Sequence, residues 1–252
     1  MKRLLCLLTV VSIIGCGGSS NNTQHNPEQF TITSGNWDFA GSDQTGQFIV
    51  GGNLTQSGSA LTGMFHAFNS ACYSFTTDIP FSGTADATSA TMTSAAVASQ
   101  VISAAVNGGG TSSSGTFKVI GGCADGSTGT FTATLVPSLS GNWTGSFLSV
   151  SGPPAITTSA NLNQTAGADA NGLFGLSGTT TFGNSVCFTS ATIVASWVTG
   201  RVVLLLLNNS DGSQTTFAGT LDNPSTAKSI SGIYDISGGS CSGDSGTGTI
   251  SR

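Results

Sequence analysis

Gly115-Thr116-Phe117-Lys118-Val119-Ile120-Gly121-Gly122-Cys123 alternates apolar and polar residues up to a glycine turn, and Gly232-Ile233-Tyr234-Asp235-Ile236-Ser237-Gly238-Gly239-Ser240-Cys241 does the same in the second half of the chain. Alternation with period two is the pattern of a strand with one face buried. After each stretch comes a Gly/Ser/Asp turn and a further alternating run, Gly129-Thr130-Phe131-Thr132-Ala133-Thr134-Leu135 in one case and Gly248-Thr249-Ile250 in the other. Strand, short turn and strand make an antiparallel hairpin, and it occurs twice.

The correspondence extends outward. Gly35-Asn36-Trp37 recurs as Gly141-Asn142-Trp143, and Leu54-Thr55-Gln56 answers Leu162-Asn163-Gln164. The chain is thus a tandem repeat of about 105 residues, with two domain-sized copies that point to duplication rather than to a solenoid. Alternating runs separated by Gly, Asn, Asp and Ser place strands near 35–40, 47–56, 60–68, 74–83, 90–96, 100–106, 115–120 and 128–136 in the first copy. In the second they fall near 141–149, 156–164, 172–181, 187–196, 200–207, 214–221, 228–236 and 246–251. Gly, Ser, Thr and Asn are poor helix formers, and no stripe of period 3.6 appears. The expected fold is all-β: a duplicated antiparallel meander forming two small barrel- or sandwich-like domains, at 34–138 and 139–252. Closure into barrels would remove exposed strand edges. Arg201-Val202-Val203-Leu204-Leu205-Leu206-Leu207 breaks the alternation, so this run is expected to be a strand covered on both faces, between the lobes or at an interface.

Cys72, Cys123, Cys187 and Cys241 are the four cysteines of the body. An even number in an exported chain reads as disulfides, and the repeat selects Cys72 with Cys123 and Cys187 with Cys241.

Only 7% of the residues are charged; the chain has 36 Gly, and its 14 Phe are part of a hydrophobic fraction of 38%. That is enough apolar content for a core, and polarity has to come from Ser, Thr, Asn and Gly. Lys118, Arg201, Lys228 and Arg252 are the only basic residues after the first three positions, against eleven acids. Such a chain offers no phosphate-binding surface, so nucleic acid is not an expected partner.

Lys2 and Arg3 precede an apolar run, Leu4 to Ile14, too short to span a membrane and built like an export signal. Its end, Ile13-Ile14-Gly15-Cys16, resembles the lipobox of bacterial lipoprotein precursors, with Ile14 where that family more often has Ala or Ser. The resemblance implies cleavage after residue 15, a diacylglyceryl thioether on Cys16 and a membrane partner reached through that lipid anchor. Residues 16–33 then form a polar Gly/Ser/Asn-rich tether. Gly17, where inner-membrane lipoproteins often carry Asp, implies an outer-membrane location in the cell envelope, on its periplasmic face or at the cell surface.

Gly35-Asn36-Trp37 and Gly141-Asn142-Trp143 are similar to the opening of lipocalins and avidins, where the tryptophan plugs the barrel floor. Trp37 and Trp143 are the binding candidates this resemblance implies; plain core anchors are the other reading.

Gly243-Asp244-Ser245-Gly246 copies the residues around the nucleophile of chymotrypsin-like proteases. A serine needs a base in reach and a group to orient it, and His66 is the only histidine of the body. The equivalent turn Ala124-Asp125-Gly126-Ser127 in the first copy favours a repeated turn. A single histidine is no metal site, and Glu28, the only Glu, lies in the tether, leaving no Glu for a carboxylate pair. The expectation is a chain without cofactor, metal or catalytic residue: an envelope binding module for a small apolar ligand or a glycan. The alternatives are a structural or adhesive surface protein, and after it a hydrolase.

Overall fold

The computed structural model describes residues 30–44, 46–152 and 154–252. The expected export signal, Cys16 and most of the expected tether lie outside the described residues. Barrel 1 comprises β1 (Gly35–Asp43), β2 (Gly46–Ser57), β3 (Ala60–Phe68), β4 (Ile79–Ala85), β5 (Ser89–Ser94), β6 (Val101–Gly109), β7 (Ser112–Ile120) and β8 (Thr128–Leu135). Barrel 2 comprises β9 (Gly141–Ser149), β10 (Ile156–Gln164), β11 (Phe174–Gly183), β12 (Ser190–Thr199), β13 (Val202–Asn209), β14 (Gln214–Leu221), β15 (Ser229–Ser237) and β16 (Ser245–Ser251). Each set is an up-and-down antiparallel sheet closed on itself by pairing of its first and last strands, β1 with β8 and β9 with β16. Closure leaves no free edge for another chain to extend.

The expected disulfides are both present: Cys72–Cys123 and Cys187–Cys241 join Cα atoms 5.6 and 6.0 Å apart, each within one barrel.

Three stretches differ from the sequence reading. The fourth strand starts at Ile79 rather than at 74, because Ser70 Oγ accepts the amides of Cys72 and Tyr73 at 3.1 and 3.2 Å and curls the chain into a loop before the disulfide. Phe30 to Thr33, placed by composition in the tether, belong to barrel 1: Phe30 is 5% exposed, and Thr31 and Thr33 exchange backbone hydrogen bonds with Gly110. The run after Arg201 is not covered on both faces. β13 alternates after all, with Val203, Leu205 and Leu207 inside the barrel and Val202, Leu204 and Leu206 only half-covered on its outer wall.

The floors of the two barrels are built alike. Trp37 and Trp143 are fully buried, and their indole Nε1–H groups donate to Thr33 O at 2.9 Å and Leu139 O at 2.8 Å. Gln56 Oε1 accepts the Ile32 amide at 2.8 Å, and Gln164 Oε1 accepts that of Leu139 at 2.7 Å. In each case a glutamine two residues after a buried leucine pins the incoming chain across the barrel end, so its backbone donors are satisfied where no strand pairs them.

Barrel 2 docks its floor-side loops on the wall of barrel 1. Asn36 exchanges two hydrogen bonds with the Gly200 backbone, at 3.0 and 2.6 Å. Asp38, whose side chain is 2% exposed, receives Arg201 Nε at 2.9 Å and Nη2 at 2.6 Å. Gly200 has φ +53, and a Cβ there would stand 2.6 Å from Gly51 Cα, so glycine answers both the turn and the close approach. Beside this clamp, His66 Nε2 lies 2.7 Å from Asn171 O.

Candidate functional site

The interiors of the two barrels differ although their walls correspond. The registers set Ala67 opposite Val50 in β3 and β2, where barrel 2 has Phe182 opposite Thr158 in β11 and β10. They set Ala104 opposite Phe117 in β6 and β7, where barrel 2 has Phe217 opposite Tyr234 in β14 and β15. Two inward phenylalanines of barrel 2 are thus alanines in barrel 1. Phe217 is fully buried and packs edge-to-face on Phe147 with ring centroids 5.5 Å apart, and Phe182 meets Phe188 at 4.9 Å. These rings stand inside barrel 2 where barrel 1 has only methyl groups.

Barrel 1 is hollow. A cavity of about 370 Å³ runs from its centre to the mouth, the end opposite the tryptophan floor, and both Ala67 and Ala104 line it. Six phenylalanines line it: Phe39, Phe48, Phe65, Phe81, Phe117 and Phe131. They stand largely edge-to-face, Phe39 on Phe65 at 5.2 Å, Phe65 on Phe81 at 5.4 Å and Phe48 on Phe117 at 4.9 Å, the arrangement the ring quadrupole favours. Volume and lining fall within the range of small-molecule pockets, about 300–1,000 Å³ and mostly apolar.

The mouth carries the polar groups. Asp43 Oδ2 accepts from Ser127 Oγ, and Asp43 Oδ1 accepts the Gly46 amide at 3.1 Å. Asp43 is the only charged residue lining the cavity among the described residues. The loop between β3 and β4, tied by Cys72–Cys123, brings Tyr73 to the cavity wall. Its hydroxyl is shut off from solvent with no hydrogen-bond partner among the described residues, and burial pushes its pKa up. In barrel 2 the same loop geometry, with Ser185 Oγ 3.3 Å from both the Cys187 and Phe188 amides, delivers Phe188, 4% exposed, in Tyr73's place.

Neither Trp37 nor Trp143 is among the residues lining this cavity; both are floor residues without exposed surface. His66 faces barrel 2 and stands 3.7 Å from Asp78. Asp244 takes the hydroxyls of Ser149 at 2.5 Å and Tyr234 at 3.0 Å, and Ser245 begins β16. No three of His, Cys, Asp and Glu gather into a metal-binding group among the described residues. Thr91, Thr93, Thr130 and Thr132 face solvent. Sequence reasoning did not single out Tyr73, Ala67 or Ala104. The legible signal was the contrast of Cys72-Tyr73 with Cys187-Phe188 once the copies are aligned.

No protein family matches this chain, and no curated protein does. Among solved structures, it is similar to a protein of unknown function of the DUF3598 family from Nostoc punctiforme, at 13% identity and a TM-score of 0.26 over 86% of this chain and 95% of that one. It is also similar to kievitone hydratase from Nectria haematococca, at 10% identity and a TM-score of 0.23 over 89% and 90%. Likeness at this level says nothing about activity.

Proposed function

We propose that this chain is an exported lipoprotein whose first barrel holds a small apolar ligand at the cell envelope, without catalysing its conversion, while the second is a filled supporting barrel. The observation that carries the reading is the exchange of Phe182 and Phe217 for Ala67 and Ala104 at matching positions. An empty apolar cavity costs stability in proportion to its volume, so a hollow barrel beside a filled copy of itself is best understood as a receptacle. The apolar lining favours a hydrophobic molecule over a glycan, whose hydroxyls would find few partners there. The two intra-barrel disulfides accord with an oxidising compartment. Lipid on Cys16, an outer-membrane location and the membrane partner rest on the lipobox resemblance. The chain enters barrel 1 at its floor through Phe30, so the mouth would open away from the point of attachment.

Native against denaturing mass spectrometry of the protein purified after export tests the proposal. An adduct present in the first and lost in the second supports a carried ligand and gives its mass. No adduct, together with no uptake of an apolar probe, removes the ligand reading and leaves a structural or adhesive role.

A further inference from the structure

The lining of the barrel 1 cavity restricts what can occupy it beyond the statement that it is apolar. A buried carboxylate, sulfonate or phosphate needs a cation or several donors, and without them desolvation opposes entry. The cavity has no Lys, Arg or His among its described lining residues, and the only charge there is the carboxylate of Asp43. An anionic amphiphile such as a free fatty acid would bring like charge to that rim. A cation could pair with Asp43 only at the rim, would be desolvated deeper among the phenylalanines, and offers the Tyr73 phenol no acceptor.

Shape and lining restrict it further. About 370 Å³ lies near the lower end of ligand pockets. The ring chain from Phe81 through Phe65 to Phe39, edge-to-face at both contacts, and on to a tilted Phe131 presents ring faces and edges that a further ring continues more favourably than a flexible chain does. Then there is the phenol. Barrel 2 puts a phenylalanine on the same loop, Phe188, where barrel 1 puts Tyr73 with a hydroxyl buried and unpartnered. A buried hydroxyl without a partner is costly, and the residue that carries it lines the cavity.

We propose that the cavity selects a neutral, compact, ring-bearing molecule with one hydrogen-bond acceptor oxygen, that Tyr73 donates to that oxygen, and that carboxylate-bearing lipids are refused. The inference rests on the ligand-binding reading above and is separable from it by experiment.

Three fluorescent probes make the test on the purified protein: N-phenyl-1-naphthylamine, which is neutral; 1-anilinonaphthalene-8-sulfonate, which has the same ring skeleton with an anionic group; and Prodan, a neutral naphthalene bearing a ketone. The neutral naphthylamine and Prodan should bind saturably, one per chain, and the sulfonate at least about tenfold more weakly, given the cost of burying an unpaired charge. Tyr73→Phe should weaken Prodan about fivefold, the worth of one hydrogen bond, and shift its emission towards the blue. A far-ultraviolet circular dichroism spectrum matching wild type shows that the variant is folded. Absence of binding by both neutral probes would overturn the ligand reading itself. Sulfonate binding as tight as that of the naphthylamine would overturn the neutrality claim alone. Unchanged Prodan affinity and emission in Tyr73→Phe would overturn the role of the phenol.

Discussion

Asp43 accepts a hydrogen bond from Ser127 across the mouth of barrel 1, and at the matching positions of barrel 2 the roles are exchanged: Ser149 donates to Asp244. One partner sits at the end of the first strand and the other in the last turn, so the two copies keep the same contact while swapping its ends. A carboxylate facing a hydroxyl is satisfied in either order, whereas two carboxylates have no donor between them. Ser127→Asp alone, which sets two carboxylates together, should therefore lower the urea-unfolding free energy by about 1–2 kcal/mol. Adding Asp43→Ser, which reproduces the barrel 2 arrangement, should restore most of it; a double variant as unstable as the summed singles would contradict the exchange.

Asp38 and Arg201 join the barrels, and Asp38 is nearly inaccessible. Removing one partner of a buried pair leaves the other charge uncompensated, at a cost of about 3 kcal/mol or more. Arg201→Met is expected to show that loss in urea unfolding, and Asp38→Asn in the same chain to recover the greater part. If Arg201→Met is as stable as wild type, the clamp contributes nothing.

Both tyrosines of the chain hold their protons tightly. Tyr234 has its pKa pushed up to about 12 by burial and by its hydrogen bond to Asp244, and Tyr73 is raised by burial. An unfolded phenol titrates near ~10, so the native state binds this proton more strongly than the unfolded state does. The resulting stabilisation is whole below about pH 10 and is lost as pH rises towards 12. Tyrosinate absorbance should thus rise above pH 10 together with loss of the native circular dichroism, and a full rise near 10 in a still-folded chain would contradict the burial of these phenols.

Cys72–Cys123 closes a loop of 51 residues and holds the segment that carries Tyr73. On the chain-entropy view such a crosslink stabilises by about 4 kcal/mol. Replacing both cysteines by serine should cost stability of that order and weaken neutral-probe binding even under conditions where the barrel stays folded. The same change at Cys187 and Cys241 should cost stability while leaving probe binding intact, which thermal unfolding and probe titration together would check.

Much of the fold was legible because it is written in local patterns. Runs between Gly-rich turns, most of them alternating, mark the sixteen strands of the described residues, and the repeat of Gly35-Asn36-Trp37 with its cysteine spacing marks two units and their disulfides. The segment before Ile79 misled because Ser74, Phe75 and Thr76 alternate like a strand, while the hydroxyl of Ser70 and the disulfide bend it into a loop. The Leu204–Leu207 run misled because the outward half of a strand can be apolar yet only half-covered. The cavity could not be read in advance, because Ala67 and Ala104 are ordinary small inward residues until strand register sets them against Phe182 and Phe217. Asp38 departed from the repeat, where Thr144 follows Trp143, but its partner lies in the other barrel and no local pattern joins the two.

Titration of wild type and Ala104→Phe with N-phenyl-1-naphthylamine tests the central claim most directly, because that substitution places in barrel 1 the ring that fills barrel 2. Wild type should bind one probe per chain. The variant should bind none while unfolding at a temperature no lower than wild type, since the new ring occupies existing space. A folded Ala104→Phe chain that still binds the probe with wild-type affinity would place the site elsewhere and contradict the account.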